Sequence, residues 1–96
     1  MQVHITGRHV EITDGIRKHV YEKVERTLVD FPRVQDVRIV LDLEKLVHCA
    51  EVLVQGKDIH VEATAEAENM YMSIDEALIK AERQLRKLRE KVQSHR

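Results

Sequence analysis

The residues with the clearest chemical potential are the cations near the end of the chain. On a helix that turns about 100° per residue, four of them fall within roughly 80° of one another: Lys80, Arg83, Lys87 and Lys91. This stripe lies on the opposite side of the helix axis from the apolar residues, so all four cations are predicted to point away from the sheet. From position 83 to position 91, five cations meet one glutamate. Such a stripe suits the phosphates of a nucleic-acid backbone, which give affinity without sequence reading. The plainer interpretation is a solvated charged face whose cations favour the helix dipole.

Other cations flank this stripe or lie on an earlier amphipathic segment. Arg86 and Arg89 lie on the same helix, beside its core face and on the side away from the stripe. Near position 20, three side chains follow one helical edge and a further cation lies on the opposite edge: His19, Lys23 and Arg26, with Arg17 opposite. If the two helices lie side by side, their basic edges could form one positive surface.

The total charge conceals an uneven distribution. The formal net charge is −1, whereas nucleic-acid-binding domains usually carry a basic excess. Residues 1–41 have seven Lys/Arg and six Asp/Glu, residues 42–68 have two and seven, and residues 69–96 have seven and four. The middle of the chain is therefore acidic and its end is basic, which predicts a charge dipole that approaches a polyanion in one orientation.

Other kinds of chemistry find little support. No glycine-rich phosphate loop or nucleophile elbow occurs, and the six histidines show no metal-ligand spacing, so we expect no enzyme, no metal and no cofactor. Phe31 and Tyr71 fall on apolar stripes and are predicted to be core residues, which disfavours base stacking. Cys49, the only cysteine, is expected to be a small core residue. Without an export signal or a membrane span, the protein is expected to be cytoplasmic.

Apolar periodicity predicts the elements that carry these cations. Residues 2–8 alternate as a strand, and a helix capped by Thr13 or Asp14 follows, with an apolar stripe that runs to Phe31 before Pro32 ends it. Strands follow around residues 37–43, 50–54 and 59–65, the last two joined by a turn at residues 55–58. The acidic side chains of this hairpin, with Thr64 between them, are expected on a solvated sheet face: Glu51, Glu62 and Glu66.

The last helix has the clearest pattern. Asn69 is its expected cap, and apolar residues recur at intervals of three and four: Tyr71, Ile74, Leu78, Ala81, Leu85, Leu88 and Val92. The order β-α-β-β-β-α in 96 residues predicts one α+β domain, a two-layer sandwich with both helices on one face of a four-stranded sheet. The first two strands are expected to be parallel, joined by a right-handed crossover.

The chain also resembles a known family over essentially its whole length. The segments that carry the resemblance are "ITGRHVEIT", "MYMSID" and "ERQLRKLREK". Together they resemble the bacterial hibernation-promoting factors and ribosome-associated inhibitors, in their short form. The resemblance implies a single ribosome-binding domain over residues 1–96 that binds the small ribosomal subunit in the channel of messenger RNA and of A-site and P-site transfer RNA. Translation would be blocked and idle ribosomes preserved under stress or in stationary phase.

The resemblance also implies which residues contact 16S ribosomal RNA backbone. They are Arg17, Lys23, Arg26, Lys80, Arg83, Lys87, Arg89 and Lys91. Arg86, which flanks the basic stripe, is added to these expected contacts. No small-molecule substrate and no membrane partner is expected, and the protein would be monomeric off the ribosome. Two other functions stay open from the residues alone. One is a double-stranded RNA-binding module, and the other is a protein-interaction domain that uses the seven-residue stripe of the last helix.

Overall fold

The computed structural model describes residues 1–93, with side-chain environments for residues 1–90. Six elements follow one another: β1 (Gln2–Arg8), α1 (Asp14–Leu28), β2 (Val34–Glu44), β3 (Val47–Gly56), β4 (Ile59–Ala67) and α2 (Met70–Gln93). The predicted order β-α-β-β-β-α is confirmed. None of the helices in the described part of the chain is both long and apolar enough to cross a membrane.

The sheet is mixed and has the strand order β1-β2-β3-β4. β1 and β2 pair in parallel, with Val3 opposite Val37, as the crossover helix requires. β2, β3 and β4 pair antiparallel, so that Leu41 lies opposite Ala50 and Ala50 opposite Ala65. β1 and β4 are therefore the two edges of the sheet.

One core joins both helices to one face of the sheet. The buried side chains of the three long strands alternate along each strand, for example Val37, Ile39 and Leu41 on β2. They pack in one cluster with α1 residues such as Val20 and α2 residues such as Ile74. The predicted two-layer sandwich, with both helices on one face, is confirmed.

The two helices run side by side in the same direction. Their first turns are in close contact. A Cβ added to Gly15 of α1 would lie only 2.9 Å from the hydroxyl oxygen of Tyr71 in α2. Further along, Arg89 of α2 donates to the carbonyl oxygen of Asp30, two residues after α1 ends. Both C-terminal ends therefore lie at the same end of the molecule.

α1 begins as predicted but ends earlier. The Thr13 side chain caps it by accepting from the Ile16 amide at 3.2 Å. The helix ends at Leu28, and two turn hydrogen bonds follow, from Phe31 N to Leu28 O and from Val34 N to Phe31 O. The prediction that the helical stripe runs to Phe31 is wrong, because the residue before Pro32 is disfavoured in helical geometry and the chain turns away first.

α2 has the predicted cap and a shorter apolar stripe. The Asn69 side chain accepts from the Met72 amide at 2.9 Å. Tyr71 and Leu88, both predicted to be core residues, are 43% and 38% exposed. Tyr71 faces α1 across the layer, and no residue from 86 to 90 is buried, so the stripe ends at Leu85. Val92 lies outside the residues whose side chains are described.

Two short turns connect the long strands. Lys45 and Leu46, which join β2 to β3, have φ values of 47° and 69°. Positive φ at both central residues is the geometry of a type I′ hairpin turn. The sequence carries no signal for this turn, because Lys-Leu lacks the Asn-Gly signature. The β3–β4 turn is also tighter than predicted, since β3 continues through Gly56 and only Lys57 and Asp58 are outside the strands.

Candidate nucleic-acid interface

The basic edge of α1 is held against α2 by one carboxylate. Asp75 Oδ1 lies 2.7 Å from His19 Nε2 and 3.9 Å from Lys23 Nζ. Arg26 follows on the same helical edge one turn later and is exposed. The condition for a joint basic surface, that the two helices lie side by side, is therefore met at this edge. Asp75 is the residue that the sequence could not identify, because its partners lie more than 50 positions away.

Tyr71, one turn before Asp75 on α2, also contacts α1. Its ring meets the His19 ring edge-on, with the centroids 4.9 Å apart and the planes at 81°. Its hydroxyl lies over Gly15, where a side chain would crowd it. Tyr71 therefore joins the first turns of both helices while one side of the ring stays open to solvent.

The cations of α2 point in different directions, and Lys80 does not behave as predicted. The helical phase predicted that Lys80 points away from the sheet, yet its Nζ donates to the carbonyl oxygen of Thr64 on β4 at 2.9 Å. The side-chain amide of Gln84 donates in the same way to the backbone carbonyl oxygen of Glu62 at 2.8 Å. The long side chain of Lys80 bends back to the free edge of β4, where backbone carbonyls have no neighbouring strand to bond.

Arg86 and Arg89 face the α1 side of α2 and have partners of their own. Arg86 forms an ion pair with Glu82 one turn before it. Arg89 Nη1 lies 3.2 Å from the Asp30 carbonyl oxygen, and its guanidinium stacks 4.8 Å above the centroid of the Phe31 ring. Arg89 thereby attaches the end of α2 to the loop that follows α1.

Four of the predicted cations have no such contacts within the described part of the chain. Arg17, Arg26, Arg83 and Lys87 are exposed and make no side-chain hydrogen bond or ion pair with any described residue. Arg17 lies about 180° around α1 from Arg26, so the two cannot share a surface. The side chain of Lys91 lies outside the described residues. Arg26, Arg83 and Lys87 are therefore the described cations available to an external anion on the helical layer.

The opposite face of the molecule is acidic, as predicted. Glu51, Glu62 and Glu66 are exposed on the side of the sheet away from the helices. Asp36 and Asp42 share this face and contact side chains of the protein itself. Asp36 bonds both His4 and Arg38, at 3.0 and 3.3 Å, and Asp42 bonds His9 at 3.0 Å. The protein is thus basic on its helical layer and acidic on its outer sheet face.

The prediction that Cys49 is a core residue is wrong. Its side chain is half-buried and lies on this acidic face. The odd-numbered residues of β3 point away from the helices, which places its thiol between neighbouring strands. Burial raises the pKa of the Cys49 thiol, and the charges of Glu66, Asp42 and Glu51 raise it further. Among the described residues, no group of three His, Cys, Asp or Glu side chains has the arrangement of a metal site.

Relatives with assigned names match nearly the whole chain. The chain is 42% identical over 94 residues to the ribosome hibernation promoting factor of Pseudomonas putida, which covers 98% of this chain and 92% of that protein. It is 39% identical over 97 residues to the ribosome hibernation promoting factor of Escherichia coli K12, covering 99% of this chain and all of that one.

Solved structures share the fold. A ribosomal subunit interface protein from Coxiella burnetii superposes with a TM-score of 0.89 at 26% identity, covering 94% of this chain and 99% of that one. The N-terminal domain of Thermus thermophilus Protein Y gives 0.83 at 29% identity, covering 92% and 99%. The family described as Sigma 54 modulation protein / S30EA ribosomal protein matches residues 3–93. With this match over nearly its whole length, the chain belongs to the Sigma 54 modulation protein / S30EA ribosomal protein family.

Proposed function

We propose that this protein is a ribosome hibernation factor that binds the small ribosomal subunit in the channel of messenger RNA and of A-site and P-site transfer RNA. The names of its relatives support ribosome-associated hibernation. Bound there, residues 1–96 act as one ribosome-binding domain in the cytoplasm. The protein blocks translation by occupancy and preserves idle ribosomes under stress or in stationary phase. It acts as a monomer and needs neither catalysis nor a cofactor.

The observation that carries this proposal is the division of charge between the two layers. Arg26, Arg83 and Lys87 project from the helical layer without carboxylate partners among the described residues, whereas Glu51, Glu62 and Glu66 are exposed on the sheet face behind them. Phosphate oxygens of 16S ribosomal RNA are the ligand that such cations suit, because they need charge and not a particular base. The acidic face opposes binding in the reversed orientation.

The contacts within the helical layer give the proposed interface its shape. Asp75 holds the edge of α1 that bears Lys23, and Arg89 fixes the end of α2 to the loop after α1. The available cations therefore project from a rigid support. Binding needs to order only these side chains, so little other conformational entropy is lost. A rigid two-helix face fits a structured RNA wall better than it fits a flexible single strand.

Co-sedimentation with purified small ribosomal subunits tests the proposal. We expect binding at 50 mM salt that weakens by about 10³-fold or more at 200 mM, if about six or more phosphates are contacted. A messenger RNA fragment with initiator transfer RNA should compete for the site. Protein that stays in the supernatant at low salt would contradict ribosome binding, and equal affinity for free duplex RNA would favour the double-stranded RNA-binding alternative.

Charge reversal tests the role of the helical layer. The triple variant R83E/K87E/K91E is expected to lose subunit binding by at least about 100-fold at 0.1 M salt, because each phosphate contact contributes roughly 5- to 10-fold there. The matched control R8E/R38E/K45E changes the net charge equally, at β1, the outer sheet face and the β2–β3 turn. We expect the control to bind within a few-fold of the unmodified protein. Equal loss in both variants would mean that only net charge matters.

A further inference from the structure

We infer that Arg33 and Lys57, two loop cations outside both helices, are additional contacts for RNA phosphate that extend the helical interface around the end of the molecule. The inference rests on the proposed function, because it concerns the same ligand. Neither residue belongs to an amphipathic pattern, which is why the sequence does not single them out. The fold brings both to the end where α1 and α2 finish.

The loop after α1 and the turn between β3 and β4 are packed directly on each other. An added Cβ on Gly56 would lie 2.2 Å from the carbonyl oxygen of Arg33, so the backbones are in contact there. Val34 also pairs with Gly56 in the sheet, just before the irregularity in β2. Arg33 and Lys57 therefore project from adjoining backbone segments, although they are 24 positions apart in the sequence.

The same loop is attached to α2. Arg89 donates to the Asp30 carbonyl and stacks on Phe31, and the Val34 amide closes a turn onto the Phe31 carbonyl at 3.1 Å. Pro32 restricts the backbone between these contacts. The loop cations thus keep a fixed position relative to the last turns of α2, where Lys87 is available.

Arg33 and Lys57 are themselves available to an anion. Both are exposed, and neither makes an ion pair or a side-chain hydrogen bond with any residue in the described part of the chain. Asp30 and Asp58 lie in the same two segments and balance the local charge, so long-range attraction is not the basis of the inference. Direct contact is: a guanidinium or ammonium that touches a phosphate oxygen forms a short, charge-assisted hydrogen bond, which does not require a net positive charge around it.

A double variant with a matched control tests this inference. R33Q/K57Q removes both loop cations, whereas R8Q/K45Q removes two exposed cations at the opposite end of the sheet. Subunit binding is measured across a salt series. We expect R33Q/K57Q to bind about 25- to 100-fold more weakly at 0.1 M salt and to lower the slope of log affinity against log salt by about 2. The control should keep the affinity and slope of the unmodified protein.

The outcomes separate this inference from the proposed function. Subunit binding by the unmodified protein with no change in R33Q/K57Q would overturn the inference and leave ribosome binding intact. Equal weakening in both double variants would also overturn it, because net charge alone would explain the loss. No binding by the unmodified protein would contradict both proposals. Thermal unfolding checks that each variant is folded, which is expected because the four side chains are exposed.

Discussion

The helical layer and the outer sheet face use charged residues in opposite ways. On the sheet face, Asp36 is bonded by both His4 and Arg38, and Glu62 lies 3.9 Å from His60, while Glu51 and Glu66 are exposed without an ion-pair partner among the described residues. On the helical layer, Asp75 and Glu82 are paired with cations of the helices, while Arg26, Arg83 and Lys87 have no carboxylate partner among the described residues. The comparison shows that a net charge near zero can arise from two faces of opposite sign. What each face presents depends on which charges are already neutralised within it.

The strongest way to break the comparison is to make the two faces alike. In E51K/E62K/E66K, the outer sheet face gains three cations at exposed positions. We expect affinity for free duplex RNA to rise by about 10- to 100-fold at 0.1 M salt, because each new phosphate contact contributes roughly 5- to 10-fold. Filter binding measures this affinity alongside that for small subunits.

The glutamine variant E51Q/E62Q/E66Q serves as the control for repulsion alone. It removes the negative charges without adding contacts, so its gain should be smaller. If the lysine variant binds free RNA no better than the unmodified protein, the acidic face does not restrict the orientation of binding.

Within the helical layer, a cation that contacts another element and one that projects freely should respond differently to alanine substitution. Arg89→Ala should lower the free energy of unfolding by about 1 kcal/mol, since it removes the contacts with Phe31 and the Asp30 carbonyl. In a domain of this size that corresponds to a melting temperature lower by about 4 to 8 °C. Arg83→Ala should leave the melting temperature within about 2 °C, because surface substitutions change stability little.

Subunit binding should depend on Arg83 although stability does not. We expect R83A to bind small subunits roughly 5- to 10-fold more weakly at 0.1 M salt. Calorimetry and co-sedimentation on the same two variants give both readouts. A melting temperature that falls equally in R83A and R89A would show that the distinction between attached and available cations is wrong.

The smallest expected effect concerns the thiol on the acidic face. Because burial and the neighbouring carboxylates raise the pKa of Cys49, less thiolate is present at pH 7 to 8 than in an ordinary cysteine, and alkylation should be slow. Its rate should keep rising with pH above the ordinary thiol range. Glu66→Gln removes the largest of the charges that raise the pKa and should therefore speed alkylation at pH 8.

The rate of iodoacetamide alkylation, followed by mass spectrometry, gives this measurement. Glu25→Gln, on the exposed side of α1, is the matched control and should leave the rate unchanged. A rate that is equal in E66Q and in the unmodified protein would show that the Glu66 charge does not influence the thiol.

Periodicity predicted most of the fold because burial repeats locally. Alternation in β2 and the three-and-four spacing around Ile74 and Leu78 are imposed by one apolar surface on consecutive residues, so the sequence records them directly. The errors occur where that surface ends. Leu88 continues the spacing past the last buried position of α2, and Phe31 continues that of α1 past its last helical residue. Spacing alone gives no information about where the neighbouring layer stops.

The charged site could be predicted only in part, for a related reason. Helical phase identified the cations of both helices but not the residues that they contact. Lys80 contacts Thr64, Lys23 contacts Asp75, and Arg89 contacts the loop after α1, and all of these partners come from other elements. Such contacts depend on how the elements are placed relative to one another. A flexible cation four carbons long can also reverse the direction that its Cα–Cβ bond suggests.

The two side chains of α2 that reach β4 bear on the solubility of the folded protein. A sheet edge with open carbonyls can recruit the strand of another molecule, and repeated recruitment leads to fibrils. Lys80 and Gln84 occupy the Thr64 and Glu62 carbonyls of that edge, and Lys80 also places an ammonium there. Replacing both with alanine would open a template for intermolecular strand addition. Gradual precipitation during storage at high concentration, and not loss of fold, is the expected consequence.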